Sequence, residues 1–157
     1  MTNGTPKLTD ILQEVCNRTA SEPWFAEHHY EAISQDAGDL NSVIEEKLFM
    51  TGGGSLIMFA IEGFDPKSSA SKNIDGILEL VAMVSEKAEL NRTRENWAPA
   101  FAVVENLMHH LNLETLFTYT LYEPSFKFRP TAGLLSYRVV WKMNYVIQGI
   151  EKQETTP

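Results

Sequence analysis

Four histidines stand in two adjacent pairs, His28-His29 and His109-His110, and they are the first residues to suggest a metal centre. Adjacent side chains on a helix point about 100° apart, so neither pair closes on one ion by itself. Glu105 and His109 stand at i and i+4 and share a helical face. The H-E-x-x-H spacing that sets two imidazoles and a general base around zinc is absent, so the histidines read as ordinary helix residues. Cys16 is the only cysteine, which excludes an internal disulfide and a multi-cysteine zinc site. No base is placed beside it, and it falls on the apolar face of a helix, where it reads as a core filler. No G-x-S-x-G turn is present to expose a nucleophilic serine. A metal-dependent nuclease would need Asp and Glu-x-Lys on neighbouring strands; Asp75 and Glu79 are there, but no lysine stands at that spacing from Glu79. Gly52-Gly53-Gly54 would suit a phosphate cradle, yet no Gly-Lys-Ser/Thr follows and the next segment is strand-like, so it reads as a turn. The expectation is a non-enzymatic protein with no catalytic residue, no metal ligands and no cofactor.

The elements that position these residues follow from periodicity. Asn96–Leu111 repeats apolar residues at Trp97, Phe101, Val104, Met108 and Leu111, with Leu107 widening the stripe, and this predicts one buried helical face. If Asn96 is its cap, Pro99 lies in the first turn, where a missing N–H costs little. Thr5 and Pro6 mark the start of a first helix whose stripe is Leu8, Ile11, Leu12, Val15 and Cys16, ending near Arg18. Trp24, Phe25 and Ile33 suggest a second, irregular helical piece. After a turn at 36–38, Asp39 caps a third helix carrying Leu40, Val43, Ile44 and Leu48.

Ser55–Ile61 and Ile77–Val84 are nearly continuous apolar runs, read as two buried strands of an antiparallel hairpin. The polar segment 62–75 between them predicts a long surface loop. Leu116–Tyr122 and Ser125–Phe128 read as strands, and Pro130–Gly133 as a turn. Leu134–Ile147 alternates an aromatic and apolar face (Tyr137, Val139, Trp141, Met143, Tyr145, Ile147) with a mixed face (Arg138, Val140, Lys142, Asn144, Val146). At about 3.3 Å per residue this strand exceeds what a small domain needs, so part of it is expected to pair beyond the domain. The fold expected is α+β: a mostly antiparallel β-sheet with helices packed on one face, as a single domain over 1–150 with a disordered tail at 151–157.

Composition bounds the function classes. The 157 residues carry 43% hydrophobic and 22% charged side chains, ordinary for a globular chain, and no run approaches a membrane span. The N-terminus lacks a signal-peptide pattern, so a cytoplasmic protein, or part of an assembly built there, is expected. The net charge of −8 argues against a surface that grips nucleic-acid phosphates.

From Leu8 to Ile147 the layout resembles the tail terminator and tail-completion proteins of tailed bacteriophages and prophages. Three stretches carry the resemblance: the amphipathic first helix, the unit VAMVSEKAELNRTRENWAPAFAVVENLMHHL with its linker from Glu86 to Asn91-Arg92, and the final strand YRVVWKMNYVI after a turn. The helix at 39–48 and the loop at 62–75 are elaborations on that pattern. The resemblance implies a structural virion protein, assembled in the bacterial host cytoplasm. Its subunits would close into a ring, usually a hexamer, that caps the tail tube and joins it to the neck or head-completion proteins. Acidic residues around a lumen would let DNA pass without specific binding. It implies contacts through the loop residues Phe64, Asp65, Lys67 and Lys72 and through Arg138 and Lys142 on the last strand. Glu86, Asn91 and Arg92 would brace the linker or pair across subunits; a solvated charged linker is the plainer reading. Two other readings stay open. One is a small-molecule-binding domain of bacterial origin with a pocket near Trp97, Phe101 and Trp141. The other is a monomeric adaptor or inhibitor acting through its acidic surface.

Overall fold

The computed structural model describes residues 6–36, 38–49, 53–68, 71–131 and 133–148. Thr5, Gly52 and the tail 151–157 lie outside these residues. The two apolar runs do form an antiparallel hairpin, β2 (Ser55–Ser68) and β3 (Ile74–Glu86), and β3 pairs on its other side with β7 (Leu135–Ile147). A short β1 (Ala32–Ser34) joins β2 in parallel, and β6 (Tyr122–Phe128) joins β7. The order β1-β2-β3-β7-β6 is a five-stranded, mostly antiparallel sheet. A small hairpin, β4 (Thr115–Leu116) with β5 (Tyr119–Thr120), is hydrogen-bonded separately but packs on the core through Leu116 and Tyr119. The helices are α1 (Leu8–Ser21), α2 (Pro23–Glu27), α3 (Leu40–Leu48), α4 (Ala88–Asn91) and α5 (Ala100–Leu111). The architecture is α+β.

One face of the sheet makes the core. Ile57 and Phe59 of β2, Leu78, Leu80, Ala82 and Val84 of β3, and Val139, Trp141 and Met143 of β7 are sealed against Ile11, Leu12 and Val15 of α1 and the buried side of α5. Alternation by two along each strand places these residues on one side, as the last strand's pattern predicts. Cys16 packs against this core, and burial followed by the nearby Asp36 charge pushes its thiol up to about 11.

Several expectations are corrected. The loop 62–75 is mostly strand: Gly63–Ser68 continue β2 and pair with β3 as far as Asp75. A polar segment stays extended there because its partner strand satisfies its backbone. Ile33 belongs to β1, not to a helix. Leu116–Tyr122 is broken where Phe117 takes φ +61°, giving the β4–β5 turn before β6 begins. All thirteen residues of β7 pair with β3, so its length is used inside the sheet and none of it reaches past the domain on that side. The central helix starts at Ala100, with Pro99 as an extended N-cap and Asn96 at φ +58°. The residue before a proline is driven out of the α region, so no helix runs through Ala98. Its buried face is Ala100, Val103, Val104, Leu107 and Leu111, while Trp97 and Phe101 are 40% and 50% exposed. Val104, Leu107 and Leu111 of the expected stripe are buried, but its centre is rotated toward Ala100 and Val103: compact aliphatic side chains lie against the sheet, and the large rings lie at its margin.

Asp39 does cap α3, accepting from the Ser42 amide at 3.3 Å. Gly54 ends the following turn at φ +86°; a Cβ there would stand 2.8 Å from the Lys87 carbonyl oxygen, so only glycine fits.

Candidate functional site

The residues between β3 and α5 build a buried polar network at one end of the sheet. Glu86 is the last residue of β3, and its side chain is fully buried, as is that of Asn91. One carboxylate oxygen of Glu86 accepts from Asn91 Nδ2 at 2.7 Å and Arg92 Nε at 3.1 Å. The other accepts from Arg92 Nη2 at 3.3 Å and from the Ala100 amide at 3.1 Å. Burial alone would push this carboxyl up. The hydrogen bonds from Arg92, Asn91 and Ala100 outweigh it and hold Glu86 below the usual carboxylate range. Arg92 is itself half-exposed, and its guanidinium lies 5.0 Å from the Trp97 ring centroid. Glu86, Asn91 and Arg92 therefore brace the linker within one chain, and Glu86 and Asn91 are not solvated.

The network continues through residues that periodicity did not single out. Asn91 Nδ2 also donates to the Ala98 carbonyl at 3.0 Å, which accepts the Tyr30 hydroxyl at 2.9 Å as well. Asn91 Oδ1 accepts from Arg94 Nη2 at 2.7 Å, and the same nitrogen donates to Ser55 Oγ at 2.7 Å. The Ser55 hydroxyl donates to the His29 carbonyl at 2.7 Å. A cleft of about 510 Å³ opens beside Arg94, bordered by α1, α2 and β1. The one hint in the sequence was position: Arg94 follows Asn91-Arg92 by two residues.

Arg138 and Lys142 project from the opposite face of β7. Arg138 forks onto Glu62, with Nε 2.7 Å from Oε2, and lies 3.8 Å from Glu79. Glu62 and Arg138 belong to strands on either side of β3, so this bridge spans β3 near Val81, which is 2% exposed. Lys142 pairs with Glu123 at 2.9 Å. Phe64, Asp65 and Lys67 lie on the distal half of β2, far along the sheet from Glu86; Phe64 packs partly into the core, and Lys67 pairs with Asp65 at 2.6 Å. Lys72 is exposed in the hairpin turn. The structure thus separates the expected contact residues into three places: the hairpin end, the outer face and the braced linker.

A surface that the sequence did not announce lies beside edge strand β6. Phe101 of α5 stacks on Tyr137 of β7 at 5.6 Å and meets Phe126 of β6 at 5.8 Å, and Phe128 meets Tyr137 at 5.2 Å. Phe101, Phe126 and Phe128 are 50%, 40% and 47% exposed. Trp141, by contrast, is sealed in the core, so Trp97, Phe101 and Trp141 do not wall one pocket.

Three of the four histidines are engaged with backbone carbonyls: His28 with Trp24 at 2.7 Å, His29 with Glu95 at 2.8 Å and His110 with Arg18 at 3.2 Å. No protein-family model matches the chain, and no curated protein matches it in sequence.

Proposed function

We propose that this chain is a structural subunit of a phage tail terminator or tail-completion ring, capping the tail tube and joining it to the neck. The observation that supports the reading is the cluster of exposed rings Phe101, Phe126 and Phe128 gathered around the half-buried Tyr137 at one lateral edge of the sheet. Contiguous exposed rings are costly in water and are commonly covered by a protein partner. The cluster sits at the β6 edge, and the opposite edge is the differently built β1 and distal β2, so a neighbour in a cyclic array would meet it with a different surface. That is the head-to-tail contact from which closed rings are made. Both edges carry a proline, Pro124 in β6 and Pro66 in β2, which discourages open-ended strand addition and favours contacts made by side chains.

The test is solution mass by light scattering across a concentration series, with negative-stain images of the same peak. Closed rings of several subunits are expected, six being the number the resemblance implies. A strict monomer at every concentration overturns the reading.

A further inference from the structure

The cleft beside Arg94 has the chemistry of an anion site. Its guanidinium is held by two neutral acceptors, Ser55 Oγ and Asn91 Oδ1, each at 2.7 Å. Both acceptors are themselves oriented. Ser55 donates its hydroxyl hydrogen bond to the His29 carbonyl, and Asn91 commits its amide nitrogen to Glu86 and Ala98, so their oxygens are left to accept from Arg94. These contacts aim the cation without neutralising it. Among the described residues no carboxylate lies within ion-pair distance of Arg94, and its Nε is buried with no partner. The turn at Gly53 covers part of the guanidinium; a Cβ built on Gly53 would stand 2.6 Å from Nη1. The other cation on the cleft wall, Lys47, is paired with Glu31, so Arg94 carries the uncompensated charge. Burial makes that charge costly and lowers the Arg94 pKa from its ordinary value. A partly desolvated cation with only neutral partners gains more from an incoming anion than a solvated one does.

The remaining wall mixes small apolar side chains with His29 and with the Glu31 carboxylate, which is held by Lys47. Ala20, Ala26 and Ala32 leave room beside the Tyr30 ring, and about 510 Å³ falls within the range of small-molecule sites. We infer that this cleft binds a small ligand bearing a carboxylate or phosphate group, with the oxyanion on Arg94 and its body against Ala20, Ala26 and Ala32. The inference does not rest on the ring reading, since its test reads anion binding and not assembly; the cleft lies on the α1, α2 and β1 side, next to the edge opposite β6.

Succinate and inorganic phosphate are the probes, titrated by calorimetry at constant ionic strength into the wild type, Arg94→Gln and Ala20→Phe. Ala20 is exposed near the end of α1, so Ala20→Phe fills the cleft without touching the Arg94 network. Saturable binding of at least one probe to the wild type is expected, weakened roughly tenfold or more in both variants. Preference for succinate assigns a carboxylate, and preference for phosphate a phosphoryl group. If Arg94→Gln fails to fold, Ala20→Phe decides alone. No saturation by either probe up to about 10 mM, or unchanged affinity in a folded variant, overturns the inference.

Discussion

The Glu86 carboxylate, at the end of β3, accepts a hydrogen bond from the Ala100 amide, the first residue of α5, at 3.1 Å. Pro99 occupies the N-cap of α5 and has no side-chain oxygen to offer its free amides. A residue fourteen positions upstream supplies the acceptor instead, and its negative charge complements the positive end of the helix. The same carboxylate holds Asn91 and Arg92, so strand, linker and helix meet on one group.

Glu86→Ala should therefore be among the most destabilising single changes in the chain. It removes the carboxylate that Asn91 and Arg92 share and leaves the start of α5 uncapped, an expected loss of about 3 kcal/mol, or roughly 6–12 °C in melting temperature. Thermal denaturation checks it; a change within about 1 °C would mean that the network contributes nothing measurable.

Acid should act through the same residue. The folded Glu86 carboxyl lies below its ordinary value of 4.5, so its charged form stabilises the fold fully above that value. That contribution is lost as pH falls from 4.5 through the lower folded value. Glu86→Gln keeps the shape but cannot titrate, so the stability gap between wild type and variant should shrink below about pH 4.5. Chemical denaturation at a series of pH values measures the gap; a constant gap contradicts the assignment.

Asn91→Ala removes hydrogen bonds to Glu86, Ala98 and Arg94 at once. The expected cost is about 2–3 kcal/mol, and it should not add to that of Glu86→Ala, because the two residues share a bond. A double-mutant cycle followed by urea unfolding reads the coupling; full additivity would deny it.

Cys16 should resist thiol reagents. Its thiol is pushed up to about 11 and is packed against the core, so thiolate is scarce near neutral pH. Reaction with a disulfide reagent should be markedly slower in the folded protein than in denaturant, and equal rates would show the thiol to be open.

Phe126→Ser and Phe128→Ser should separate assembly from folding. Both side chains are exposed in the single chain, so each change should leave the monomer's stability within about 1 kcal/mol. Sedimentation should show self-association weakened roughly tenfold or more. Unchanged association would remove the aromatic cluster from the interface.

The sequence by itself determined the hairpin of β2 and β3, the alternation of β7, the Asp39 cap and the α+β class. These depend on local signals: continuous apolar runs, a period of two, and an oxygen beside a helix start. Glu86, Asn91 and Arg92 came forward only through the resemblance of the linker to those of phage tail proteins, not through any period or spacing. Only the tertiary structure decided that Gly63–Ser68 is strand, since a polar segment becomes strand when β3 lies alongside it. Only the tertiary structure turned α5 so that Ala100 and Val103 join Leu107 against the sheet while Phe101 is left half-exposed; a repeat of 3.6 gives a period but not its exact phase against a distant surface. The Arg94 cleft is assembled from α1, α2, β1, the turn at Gly53 and the linker after α4. No local pattern encodes it, because its walls are far apart in the chain and meet only when the core closes.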